Sequence, residues 1–183
     1  MPASTPTIYV FTGTSGSGRK TVARKVADGL GWTAVRSCTT RPPRNPANPD
    51  GDYHYVTREQ FDLWDHEGKF AQTTDIDGNR YGVLRHELDA MLAGDRTVYL
   101  VLNRVGADAI VKLYGDRVAR IFIYVDKTTV RERLESKGTP FDVVERYLDH
   151  YTEEVTYRGK CEHVFENVNA DRTVELIKQA VAR

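Results

Sequence analysis

Hydrophobic positions along the chain follow two rhythms. Runs rich in β-branched and aromatic residues lie at 7–12 (TIYVFT), 97–102 (TVYLVL) and 118–125 (VARIFIYV). Polar residues scarcely interrupt them, which suits strands of a parallel sheet covered on both faces. Shorter strand-like stretches occur at 33–36, 53–57 and 162–167. Elsewhere the apolar residues recur at helical spacing. Val22, Val26 and Leu30, four apart, predict a helix over 19–30, with Gly29 and Gly31 marking its end. Helices are also predicted at 58–67, 84–92, 105–114, 127–137, 141–157 and 172–182. The stretch 70–81 contains DIDGN, a hairpin turn between two strands. Residues 41–52 carry four prolines and an Asp-Gly and read as a loop. Strands alternating with helices specify an α/β fold with a parallel core sheet flanked by helices. The segment 37–83 is too rich in strands and turns for one crossover and is expected to form an inserted lobe.

Composition narrows the class. A chain of 183 residues fits one domain. Its 26 basic and 26 acidic side chains cancel, whereas a general nucleic-acid binder carries a basic excess. Cys38 and Cys161 lack metal-site or framework spacing, so reduced thiols are expected. No apolar run approaches the roughly 18–20 residues that span a membrane, and residues 1–6 lack a leader pattern. These features point to a cytoplasmic protein with no membrane and no nucleic-acid partner.

The first strand runs into Gly13-Thr-Ser15-Gly16-Ser17-Gly18-Arg19-Lys20-Thr21, which then opens a helix. That context makes it a phosphate-binding P-loop, because glycines let backbone N–H groups curl around phosphate oxygens at a helix N-terminus. The usual pattern is GxxxxGK[ST]. Here Arg19 holds the lysine position, and Lys20 holds the hydroxyl position that ordinarily ligates Mg²⁺. A one-residue bulge that makes Lys20 and Thr21 the lysine–threonine pair is the alternative register.

Further on, Ser37-Cys-Thr-Thr-Arg41-Pro-Pro-Arg44 precedes Asp50-Gly-Asp-Tyr53-His-Tyr-Val. Two arginines, a serine and a tyrosine can surround a dianionic phosphate with charge-assisted hydrogen bonds. This string closely resembles the GMP-binding segment of guanylate kinases. Gly78-Asn-Arg80-Tyr81-Gly82 resembles that family's G-N-x-Y-G turn, and Arg131-Glu-Arg133-Leu-Glu-Ser-Lys137-Gly-Thr139 its lid start. The resemblance runs from about residue 7 to the C-terminus. It implies a P-loop NTPase fold with a core (1–36, 84–126 and 158–183), a small β-rich NMP-binding lobe (37–83) and a helical lid (127–157). It further implies that Ser37, Arg41, Arg44, Tyr53 and Tyr81 hold an acceptor phosphate. Arg133 and Lys137, on one helix face, would close over the transferring phosphoryl group, with Arg19 and Lys20 on the phosphates of ATP.

The chain departs from the family where the base is read. Gln72 stands at the position of a guanine-reading carboxylate, Val83 at that of a hydroxyl, and Asn103 ends a strand that normally ends in aspartate. A carboxylate accepts from both N1–H and N2–H of guanine, whereas glutamine offers one acceptor and one donor, which suits adenine among other bases. The expected activity is ATP + GMP (or another NMP) to ADP + NDP, with Mg²⁺ brought by the nucleotide if at all. Two other readings are a non-catalytic module that binds a nucleotide, a phosphorylated ligand or a partner protein, and a phosphosugar kinase. Arg80-Tyr-Gly and Asn103-Arg104 suit the last.

Overall fold

The computed structural model describes residues 5–47 and 51–182. Asp50, which opens the second half of the acceptor string, lies outside the described residues. In chain order the elements begin with β1 (Ile8–Gly13), α1 (Arg19–Leu30), β2 (Thr33–Ala34), β3 (Ser37–Thr39) and β4 (Tyr53–Tyr55). Next come α2 (Arg58–His66), β5 (Phe70–Ile76), β6 (Asn79–Leu84), α3 (Arg85–Ala93), β7 (Val98–Val101) and α4 (Arg104–Tyr114). The chain ends with β8 (Val118–Tyr124), α5 (Lys127–Ser136), α6 (Phe141–Thr156), β9 (His163–Glu166) and α7 (Ala170–Val181).

The core sheet has the order β2-β7-β1-β8-β9, and its paired strands are parallel. Alternation along β1 explains its unbroken apolar run. Ile8 and Val10 enter one cluster with Leu88, Ala107 and Ile110 from α3 and α4. Tyr9 and Phe11 enter another with Val22, Val26, Val174 and Ile177 from α1 and α7. The sheet therefore needs apolar residues on both faces. Arg120 interrupts β8. It stays nearly buried by pairing with Glu162 at 2.8 Å and Asp108 at 3.5 Å and by donating to the Tyr157 hydroxyl at 3.2 Å.

A second sheet, β4-β3-β6-β5, occupies the segment expected to be β-rich. The β5–β6 turn places Asp77 and Gly78 at positive φ (50° and 80°), the backbone that a two-residue hairpin requires. The sheet and α2 share a small core of Cys38, Phe61 and Leu84, in which Phe61 and Phe70 stack at 4.4 Å. Outside that core, Arg80 binds Asp62 (2.9 Å), Asp65 (2.8 Å) and Asp75 (3.3 Å) and lies over the Phe61 ring. These bonds tie the hairpin to α2. α5 and α6 pack on each other through Val130, Leu134, Val144 and Leu148. Among the described residues, no helix is long and apolar enough to cross a membrane.

Candidate active site

The P-loop joins β1 to α1 at the C-terminal edge of the core sheet. Gly13 cannot be replaced sterically. Its φ is 146°, and a Cβ there would lie 1.8 Å from the carbonyl oxygen of Ile123 on the neighbouring β8. α1 starts at Arg19 with Gly18 as its N-cap residue, so the loop has its ordinary length and no bulge. From outside, the Asn167 side-chain amide donates to the Ser17 carbonyl at 2.7 Å. The Arg133 guanidinium donates to the carbonyls of Asn167 (2.7 Å) and Val168 (3.3 Å) and reaches that of Ser17 at 3.5 Å.

Arg133 of α5 was expected over the transferring phosphoryl group; here its guanidinium lies instead on backbone carbonyls of the loop that follows β9. Lys137 ends the same helix, exposed, and also stays away from the P-loop.

Two cavities flank the P-loop. The larger, of about 410 Å³, lies between the loop and the lid and is lined by Gly13, Ser15, Arg19, Asn103, His150 and Glu154, among others. The smaller, of about 110 Å³, is lined by Arg19, Lys20, Ser37, Tyr53, Gln72, Thr74, Tyr81 and Asn103 with a few apolar neighbours. Arg19, Ile76 and Asn103 belong to both walls, so the two spaces meet there.

In the larger cavity Glu154 of α6 takes the place that a phosphate oxygen suits. Its Oε2 accepts from the Ser15 N–H at 3.1 Å and from the Ser15 hydroxyl at 2.9 Å. Burial raises the Glu154 pKa, and the Ser15 bonds and the charge of Arg19 oppose that rise. Arg19 folds back to donate to the Gly13 carbonyl at 2.9 Å. Burial draws its pKa below the usual value, against the pull of Glu154, Tyr53 and Tyr147. Sequence reasoning missed Glu154 and Asn167. A glutamate on an amphipathic helix ordinarily reads as solvated, and nothing in the local sequence announces a contact with a residue 139 or 150 positions away.

Lys20 departs from expectation as well. Its ammonium points away from the larger cavity and donates to the Tyr53 hydroxyl at 2.8 Å, lying 4.6 Å from that ring's centroid. The Tyr81 ring packs edge-on to Tyr53 at 5.8 Å, and the Arg41 guanidinium lies 5.3 Å from the Tyr53 centroid. Ser37, Tyr53 and Tyr81 thus share the wall of the smaller cavity, and Arg41 lies against Tyr53 without lining it. Arg44 does not join them. It sits exposed on the proline-rich loop and lines neither cavity. Thr21, one residue past Lys20, is exposed on α1 and also lines neither.

The base-reading positions separate too. Gln72 is only 6% exposed, and among the described residues neither its Oε1 nor its Nε2 has a hydrogen-bond partner, although it lines the smaller cavity. Asn103 is committed. Its Oδ1 caps α4 by accepting from Gly106 N–H at 2.9 Å, and its Nδ2 donates to Thr74 Oγ1 at 3.3 Å. Val83 is fully buried with Leu88 and Leu102 in the core and does not reach the cavity, because β6 turns that side chain onto the main cluster.

The arginines that suited a phosphosugar are occupied elsewhere, Arg80 on its three aspartates and Arg104 on Glu153. A protein-held Mg²⁺ does not fit these residues. The position whose hydroxyl would ligate it is a lysine turned towards Tyr53.

The family model for guanylate kinase matches residues 5–183. A curated guanylate kinase of Rubrobacter xylanophilus is 32% identical over 182 residues, which is 96% of this chain and 95% of the relative. One of Thermotoga maritima is 30% identical over 181 residues, 95% of this chain and 85% of the relative. The crystal structure of guanylate kinase from Anaplasma phagocytophilum shares the fold with a TM-score of 0.79 at 24% identity, over 100% of this chain and 87% of that one.

Proposed function

The chain belongs to the guanylate kinase family, and from that premise we propose that it is a nucleoside-monophosphate kinase that phosphorylates GMP or another nucleoside monophosphate from ATP. One observation carries this reading beyond kinship: a P-loop cavity and a cavity lined by Ser37, Tyr53 and Tyr81 meet at Arg19. Donor and acceptor phosphates placed in them would face each other across that side chain.

In this reading Ser15, Gly16, Ser17 and Gly18 offer backbone donors to ATP, and Arg19 carries the nearest positive charge. Arg41, Tyr53, Tyr81 and Ser37 hold the acceptor phosphate, and Gln72 faces the base. An acceptor phosphate oxygen attacks the γ-phosphorus while the bond from that phosphorus to the β–γ bridging oxygen breaks. ADP leaves with the electron pair. The protein contributes position and positive charge, since phosphoryl transfer asks for little covalent chemistry.

Arg133 acts on the P-loop from outside, reaching the Ser17 carbonyl and holding the carbonyl of Asn167, whose side chain donates to that same Ser17 carbonyl. Glu154 must release Ser15 before phosphate can enter. The core, acceptor lobe (37–83) and lid (127–157) act as three parts, and lid closure excludes water from the transfer. No step is assigned to a protein-bound metal ion. The free thiols of Cys38 and Cys161 support a reducing, cytoplasmic setting. A coupled assay of ADP release across the ribo- and deoxynucleoside monophosphates tests the activity. Turnover with at least one of them is expected, and binding without turnover would refute it.

A further inference from the structure

Lys20 occupies a P-loop position, yet it faces the other cavity. Its Nζ is 2.8 Å from the Tyr53 hydroxyl, and the side chain lines the space shared with Ser37, Gln72 and Tyr81. The preceding residue, Arg19, is tied back to Gly13 on the P-loop itself. One turn of α1 thus sends two consecutive cations to two different places.

Two cations converge on Tyr53. The Lys20 ammonium is 4.6 Å and the Arg41 guanidinium 5.3 Å from the same ring centroid. Among the described residues no carboxylate pairs with either of them. Neighbouring cations of α1 do have such partners, Arg24 on Asp52 at 2.9 Å and Lys25 on Asp171 at 2.8 Å. Two cations drawn to one phenol repel each other, and an anion seated between them relieves that repulsion. The Tyr53 oxygen accepts a hydrogen bond from Lys20, and its own O–H can serve as a further donor to a ligand.

We propose that Lys20 is a ligand of the acceptor phosphate, an arm of the P-loop that reaches into the monophosphate site, and not a ligand of ATP. This rests on the kinase reading above. It adds an ammonium to Ser37, Arg41, Tyr53 and Tyr81 and charges the gap between donor and acceptor from the acceptor side. The role suits lysine, whose long flexible stem can reach across to the lobe and whose three donors can serve Tyr53 and a phosphate oxygen together.

Calorimetric titration of GMP, AMP, guanosine and ATP into the wild type, Lys20→Ala and Lys20→Arg tests the assignment. Lys20 is exposed, so truncation leaves the core intact, and a melting curve of each variant confirms that. Lys20→Ala is expected to weaken the preferred monophosphate at least tenfold, about the effect of a lost charge-assisted hydrogen bond. Guanosine, which lacks the phosphate, and ATP should change less than about threefold on the same scale. Lys20→Arg should restore most of the monophosphate affinity. Weakened ATP binding with unchanged monophosphate binding would overturn this assignment alone. A wild type that binds neither GMP nor AMP would overturn the kinase reading and this assignment with it.

Discussion

Replacing Gln72 by leucine should make the empty protein more stable and a poorer binder. Gln72 is 6% exposed, and neither polar atom of its amide has a partner among the described residues. A buried polar group left unpaired costs about 1–3 kcal/mol, whereas an apolar side chain of similar size at the same place carries no such cost. Leucine approximates the shape and removes the amide. The expected gain is about 1–3 kcal/mol of folding stability. For a chain of this size that corresponds to roughly 2–10 °C in melting temperature. The lost amide also removes two hydrogen bonds to a base. At ~0.5–1.5 kcal/mol each, that should weaken the preferred monophosphate by roughly five- to 150-fold. Urea melts of the ligand-free protein measure the first effect and calorimetric titration the second. A variant that melts below the wild type would show that the amide is already satisfied in the empty protein. Unchanged affinity for every monophosphate would show that Gln72 does not read the base.

Three further expectations follow from the same site. Gln72→Glu combined with Asn103→Asp should raise the ratio of GMP to AMP affinity, because the glutamate's two oxygens can accept from both guanine donors while aspartate still caps α4. Wild-type protein that already prefers GMP a hundredfold or more would contradict this. Arg41→Ala should weaken monophosphate binding by more than ~1.5 kcal/mol, the scale of a charged hydrogen bond, and calorimetry that finds no change would remove Arg41 from the site. Burial raises the Glu154 pKa above its ordinary 4.5. A carboxyl that holds its proton more tightly when folded stabilises most below its unfolded pKa and loses that contribution as pH rises through the folded value. Glu154→Gln, which keeps an acceptor for Ser15, should abolish this decline. Urea midpoints of the two proteins should therefore diverge from about pH 4.5 upward. Parallel pH profiles would count against a raised pKa.

The fold was legible because its signals are local. The apolar runs around Val10, Leu100 and Phe122 became strands, and the Val22–Val26 spacing became α1 from Arg19 to Leu30 as expected. Boundaries moved where capping decided them. α7 begins at Ala170 because the Asn169 side chain accepts from Arg172 N–H, a cap that the apolar pattern does not display. The proximity of Ser37, Tyr53 and Tyr81 was legible as a string, since pairing among β3, β4 and β6 brings them to one cavity. Direction was not legible. Whether Lys20 turns to ATP or to Tyr53, and whether Arg133 meets phosphate or the Ser17 carbonyl, depends on elements far away in sequence.

Arg80 and Tyr81 are neighbours on β6, and successive side chains of a strand point to opposite faces. Arg80 faces α2 and its aspartates, and Tyr81 faces the cavity. A slip of one residue in the β5–β6 pairing would exchange them, placing a guanidinium beside Gln72 and a phenol among three carboxylates. Those aspartates therefore act as a register lock. Their outward grip on Arg80 keeps the hairpin from sliding, and so keeps the tyrosine on the side of the proposed acceptor site.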